Sequence, residues 1–249
     1  MEPLTKFIPF FTENFPTLSQ IVVGGPLSLV WTWLCLMIAG RLKGRGMRTG
    51  YTRKVFHFLT FTTVVILQWQ WGTPMVLVFG AMCSLLIFYV VFRGAGHPGY
   101  EALAREKDAP RRSYFVLLPW LTTLVGGVVA NVWFGPMAIA GYLVTGMGDA
   151  IGEPAGTRFG RHPYRVWSLS AVRATRTLEG SLAVFMVSFL ALVITGFLFP
   201  ELTASPFWWL RMAVIAALST LVEAITPHGW DNMTMQVIPV ALVSLWLAG

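Results

Sequence analysis

The chain has 249 residues, 55% of them hydrophobic and 12% charged, with a net charge of +7. Soluble domains carry about a quarter charged residues, so this composition excludes an ordinary soluble protein and implies an integral membrane one. The apolar residues come in blocks of about 20, the length a helix needs to cross a bilayer. Lys and Arg fall between those blocks, so membrane topology explains the positive charge first and a phosphate-bearing ligand second. Nucleic-acid binding ranks below both, because no basic domain stands free of the apolar blocks.

The chain opens on "MEPLTKFIPFFTENFP", which has acids and prolines where a cleaved signal needs a basic start and a clean apolar core. Residues 1–20 therefore read as an interfacial segment. Eight spans follow, at about 21–40, 55–71, 73–92, 113–133, 135–153, 179–199, 207–226 and 231–248. The fold class is all-α: one polytopic helix bundle over residues 1–249. The second and third spans, and the fourth and fifth, are separated by so few residues that each pair reads as a tight hairpin. Cys35 and Cys83 lie inside spans and read as small buried hydrophobes.

Charge orients the bundle. The segments near 41–54, 93–112 and 154–178 hold 16 of the 18 Lys and Arg, including Arg165 and Arg173, with Lys6 and Arg211 the exceptions. These are alternate loops, so eight spans place all three on the cytoplasmic side and both termini on the other.

Every membrane-edge acid falls on that basic side: Asp149 and Glu153 at the end of span five, Glu179 opening span six, Glu223 near the end of span seven and Asp231 opening span eight. A carboxylate at such depth is costly unless paired or solvated, which makes it a functional candidate. Asp149 and Glu153 are four apart and share a helix face. Pro154 is expected to break that helix and open a polar cavity. Gly148, Gly152, Gly156 and Gly160 recur every four residues, a spacing that also suits close helix packing.

Oxygen ligands suit a hard cation, Mg²⁺ above all. Arg158, Arg161 and Arg176 beside them suit phosphate, and the combination is the apparatus of phosphoryl transfer. "YTRKVFHF" (51–58) adds Arg53, Lys54 and His57. "RATRTLEGSLAVF" (173–185) looks like a helix start capped by Thr177, and Asp231 has the same look before Asn232. His97, His162 and His228 read as loop residues. No P-loop, kinase HRD or DFG set, GxSxG, HExxH or CxxC is present.

Taken together, Arg53-Lys54-x-x-His57, Gly148-Asp149 followed by Gly156-x-Arg158-Phe159-Gly160, Thr177-x-Glu179-Gly180-Ser181, and Glu223 with Asp231-Asn232 resemble the CTP-dependent polyprenol kinases. That family includes phytol, farnesol and dolichol kinases and is akin to phosphatidate cytidylyltransferases. The resemblance implies transfer of the γ-phosphate of CTP, with Mg²⁺, to an isoprenoid alcohol drawn from the bilayer, at the cytoplasmic face of a prokaryotic inner or plasma membrane. It assigns Asp149 and Glu179 to the metal and nucleotide site, and Glu153, on the same helix face as Asp149, is expected at the metal beside them. Glu223 and His57 would assist catalysis, and Asp149 or Glu223 would act as base. Arg53, Lys54, Gly156, Arg158, Gly160, Arg161, Arg176, Asp231 and Asn232 would hold nucleotide and phosphate. Arg176 stands where the family often has Lys, and Gln236 where it usually has Pro. The extra amino-terminal spans of eukaryotic dolichol kinases are absent, which favours a phytol-like or short polyprenol substrate. The competing expectations are a phosphatidate cytidylyltransferase, an anion transporter and a non-catalytic membrane subunit.

Overall fold

The structure, a computed structural model, describes residues 2–167, 174–227 and 229–248; Arg173 and His228 lie outside them. Helix α1 (Glu2–Glu13) is followed by α2 (Gly25–Gly44), α3 (Thr49–Arg93), the short α4 (Pro98–Leu103), α5 (Tyr114–Phe134), α6 (Ala138–Leu143) and α7 (Ala150–Phe159). Strands β1 (Pro163–Val166) and β2 (Ala174–Thr177) come next, then α8 (Leu178–Leu198), α9 (Trp208–Ile225) and α10 (Asp231–Ala248).

Five helical stretches among the described residues are long and apolar enough to cross a membrane: 20–44, 49–93, 114–159, 178–198 and 208–225. Two of these are about twice the length one crossing needs, and each is interrupted by a glycine at positive φ: Gly72 (φ 71°) and Gly135 (φ 52°). Only a residue without Cβ takes up that backbone without strain. The halves of α3 lie side by side, with Phe56 from one and Leu86 and Ile87 from the other in a single buried cluster. A second cluster gathers Ile139, Tyr142 and Val144 against Leu192 of α8, Ile215 of α9 and Met235 and Val243 of α10.

The outer surface is apolar. Phe92, Phe197, Leu182 and Leu190 are exposed, the inverse of a soluble protein's surface and the pattern a lipid-facing wall requires. Hydroxyls within the helices return to their own backbone: Thr32 Oγ1 donates to the Ser28 carbonyl (2.8 Å) and Ser219 Oγ to that of Ile215 (2.7 Å). These bonds let polar residues sit in apolar helices without an orphaned donor. This is an integral membrane protein.

Two expectations need correction. The chain is not purely α-helical: β1 and β2 pair antiparallel, Tyr164 opposite Arg176. The alternation in "PYRV" and "ATRT" is too short, and its arginines too easily explained by topology, to betray a hairpin. Nor does Pro154 end its helix, for α7 continues to Phe159. The irregularity lies earlier, where residues 144–149 form a wide π turn, a distortion that commonly marks functional sites.

The glycine stripe is explained by packing. A Cβ on Gly148 would collide with Ser188 Oγ, one on Gly152 would sit 2.9 Å from Val184 Cγ2, and one on Gly156 would sit 2.8 Å from Thr177 Oγ1. The stripe thus seats α7 directly on α8, which brings the acid-bearing turn against the start of α8.

Candidate active site

The three basic loops meet at one end of the bundle. Lys43 pairs with Glu106 across the first two, while Arg105 and Lys107 reach Glu153 at the start of the third. At their junction Asp149, Glu223 and Asp231 converge, each offering a carboxylate oxygen within 4.8 Å of the others. The three acids come from the π turn before α7, the end of α9 and the start of α10.

Cations hold this cluster. Lys54 Nζ lies 2.6 Å from Asp149 Oδ2, both side chains under 10% exposed. Arg176, carried in by β2, bridges the other two acids, with Nε 3.0 Å from Glu223 Oε1 and Nη2 3.1 Å from Asp231 Oδ2. Its third nitrogen, Nη1, is buried and has no hydrogen-bond partner among the described residues. A buried donor left in that state costs about 1–3 kcal/mol, so it marks a place for an incoming acceptor.

His57 sits one turn after Arg53 and Lys54 on α3. Its Nε2 is 3.0 Å from the Thr145 carbonyl and 3.6 Å from Asp149 Oδ2. A carbonyl can only accept, so Nε2 donates to it. Thr145 belongs to the π turn, and His57 thereby braces the segment that carries Asp149.

Glu153 has a different environment. Arg53 Nη2 (3.0 Å), Arg105 Nη1 (3.1 Å) and Lys107 Nζ (3.2 Å) surround it, and Arg105 also grips Asp108 through Nε at 2.8 Å. Glu153, expected beside Asp149 at a metal, is engaged by cations, and Arg53 Nε is buried without a partner among the described residues. Arg105 and Lys107 are residues that sequence reasoning passed over as topogenic charges. Nothing in their spacing marks a bond to a residue 46 or 48 positions away.

Other candidates stand apart. Glu179 takes a 2.6 Å hydrogen bond from His162 Nδ1 in the first turn of α8, the position where an acid meets the positive end of the helix dipole. Thr177 caps that helix as expected, accepting from Gly180 N at 3.1 Å. Arg158 and Arg161 are exposed, and Arg158 stacks on Phe159. Gly160, like Gly156, gives α7 its close approach to Thr177. Asn232 Nδ2 donates to the Pro119 carbonyl (3.1 Å) and Thr123 Oγ1 (2.7 Å), pinning α10 to α5. Gln236 does the same one turn on, donating to the Thr123 carbonyl at 3.2 Å.

Two cavities meet at the acids. One, of about 320 Å³, is lined by charged groups that include Arg53, Lys54, Arg105, Lys107, Arg176 and all three acids of the cluster. The other, of about 350 Å³, is largely apolar and runs along both halves of α3, α5 and α10. Arg53, Lys54, Asp149 and Asp231 line both. Glu179, Arg158 and Arg161 line neither.

Over 190 residues, 74% of each chain, the sequence is 27% identical to phytol kinase from Synechocystis sp.. The chain is similar to a phytol kinase. No family model matches it, and neither does any solved structure. The similarity supports a phytol- or polyprenol-kinase-like relationship, and with it a phosphotransferase.

Proposed function

We propose that the protein is a CTP-dependent kinase of isoprenoid alcohols, embedded in the membrane as eight crossings with its site at the cytoplasmic face. The observation that carries this reading is the junction of the two cavities. One wall suits a hydrocarbon chain, the other a polyphosphate, and they meet at buried carboxylates. A transporter has no need of such a junction, and a soluble kinase has no need of the apolar half.

The donor set fits Mg²⁺: three carboxylates, oxygen only, within reach of one ion. Asp149, Glu223 and Asp231 would hold it, and bound there it would offset charge on the transferring phosphoryl group. Arg53, Arg105 and Lys107 face the same polar cavity and would bind phosphate oxygens of CTP. The free Nη1 of Arg176 is placed to do so too, through charge-assisted hydrogen bonds.

Asp149 lines both cavities, whereas Glu223 lines the polar one alone. Asp231 lines both as well; of Asp149 and Glu223, Asp149 is the acid placed to meet the alcohol, where it would orient the hydroxyl and take its proton. The alcohol oxygen forms a bond to the γ-phosphorus while the bond from that phosphorus to the β-phosphate oxygen breaks. CDP and the isoprenyl monophosphate leave, and the proton passes to water. Lys54 holds Asp149 in place throughout.

The test is turnover by the purified full chain with CTP, Mg²⁺ and phytol or farnesol. The reading requires isoprenyl monophosphate and CDP in equal amounts. Pyrophosphate as the by-product, with phosphatidate as acceptor, would make the protein a cytidylyltransferase instead.

A further inference from the structure

The apolar cavity has a built end. Phe10 of α1, Thr73 of α3 and Asn131 of α5 line it and also line a separate cavity of about 670 Å³ on the far side, which has Lys6 and Glu13 in its wall. These three residues therefore partition an oily space from a polar one. Asn131 is 5% exposed, and its amide is fully used. Nδ2 donates to the Gly127 carbonyl (2.9 Å) and to the Tyr142 hydroxyl. Oδ1 accepts from Gln68 Nε2 (3.0 Å) and Thr73 Oγ1 (3.2 Å). Four hydrogen bonds exhaust a carboxamide's ordinary capacity. These bonds tie both halves of α3 to α5 and α6, while Gln68 Oε1 is buried without a partner among the described residues.

We infer that this Asn131-centred floor sets the length of the isoprenoid chain the protein accepts. The inference rests on the kinase reading above. Gln68 follows His57 by eleven residues on one helix, which places the floor about 16 Å from the reacting end at roughly 1.5 Å per residue. An extended chain advances about 1.2 Å per bond, so the space takes roughly 13 bonds, or an alcohol of about three to four isoprene units. Up to that point each buried methylene strengthens binding roughly fourfold. Beyond it the chain meets a hydrogen-bonded amide network that offers it no apolar surface to bury against.

Two substitutions move the limit in opposite directions. Thr73→Ala removes one hydroxyl and one methyl from the floor but leaves the Gln68–Asn131 bond. Gly80→Leu fills the cavity about 10 Å above Thr73, where the nearest atom to an added Cβ is Leu124 Cδ2 at 3.8 Å. The experiment compares kcat/KM of the full chain for geraniol, farnesol, geranylgeraniol and solanesol. Wild type should favour farnesol and geranylgeraniol over solanesol by more than about tenfold, the worth of two buried methylenes. Gly80→Leu should shift preference to geraniol by a similar factor, and Thr73→Ala should raise solanesol relative to farnesol. A wild type that takes solanesol as well as farnesol overturns the inference, as do variants that phosphorylate farnesol with an unchanged length profile. Failure of the kinase reading would look different: no alcohol of any length would be phosphorylated.

Discussion

Asp149 and Glu153 lie one helical turn apart and face the same polar cavity, yet their surroundings have opposite character. Around Asp149, three acids share Lys54 and Arg176. Around Glu153, that acid and Asp108 face Arg53, Arg105 and Lys107. The first pole has a surplus of carboxylate, which suits a divalent cation. The second has a surplus of cation, which suits phosphate. A nucleotide triphosphate with its metal is a ligand of the same two-pole pattern. Two acids with one spacing thus acquire different roles from partners that the tertiary fold supplies.

Substitution at the acid pole should have the largest effect. Asp149→Asn keeps shape and loses charge, and should lower kcat by about 10²–10³-fold, the scale seen when one electrostatic group is removed from an active site. Glu153→Gln should leave kcat within about tenfold, since it increases the surplus of cation at the phosphate pole, and should lower KM for CTP. Equal losses at the two acids would erase the distinction between the poles.

Arg176→Gln comes next. It removes the cation that competes with a metal for Glu223 and Asp231, so less Mg²⁺ should be needed for half-maximal rate. Turnover itself should fall by about 10–100-fold, the usual range for a displaced supporting partner. Arg176→Lys should restore part of the turnover. Gly152→Leu probes the scaffold: a Cβ already lies 2.9 Å from Val184 Cγ2, and overpacking of this kind costs about 1–3 kcal/mol. Thermal unfolding in detergent should report it as a lowered Tm.

The smallest effect is one of pH. In the second loop Arg112 hydrogen-bonds Glu101 and holds its carboxyl below the ordinary 4.5. A depressed carboxylate stabilises the fold above its unfolded pKa, and that contribution is lost as pH falls through the lower folded value. Tm should therefore decline below about pH 4.5, and Glu101→Gln should flatten the decline slightly.

Much of this was legible in the chain. Apolar blocks marked the helices, the short gaps at Gly72 and Gly135 marked their breaks, and Thr177 announced the start of α8. Asp149, Glu223 and Asp231 stood out because a carboxylate at membrane depth needs a reason. Their grouping did not show. Lys54 meets Asp149 across 95 positions and Arg176 meets Asp231 across 55, and helical spacing says nothing about such pairs. It suggested Glu153 as a companion of Asp149, and the family resemblance suggested Glu179; in the folded chain Glu153 pairs with the basic loops and Glu179 with His162. The hairpin that delivers Arg176 was hidden among charges that topology already explained. The apolar cavity was invisible because lipid-facing and cavity-facing residues have the same composition.

Binding of Mn²⁺ as a stand-in for Mg²⁺, followed by electron paramagnetic resonance on the purified protein, tests the two-pole account most directly. Wild type and Glu153→Gln should bind one ion with similar affinity, and Asp149→Asn should bind it at least about tenfold more weakly. Retention of the ion by Asp149→Asn together with its loss in Glu153→Gln would contradict the account.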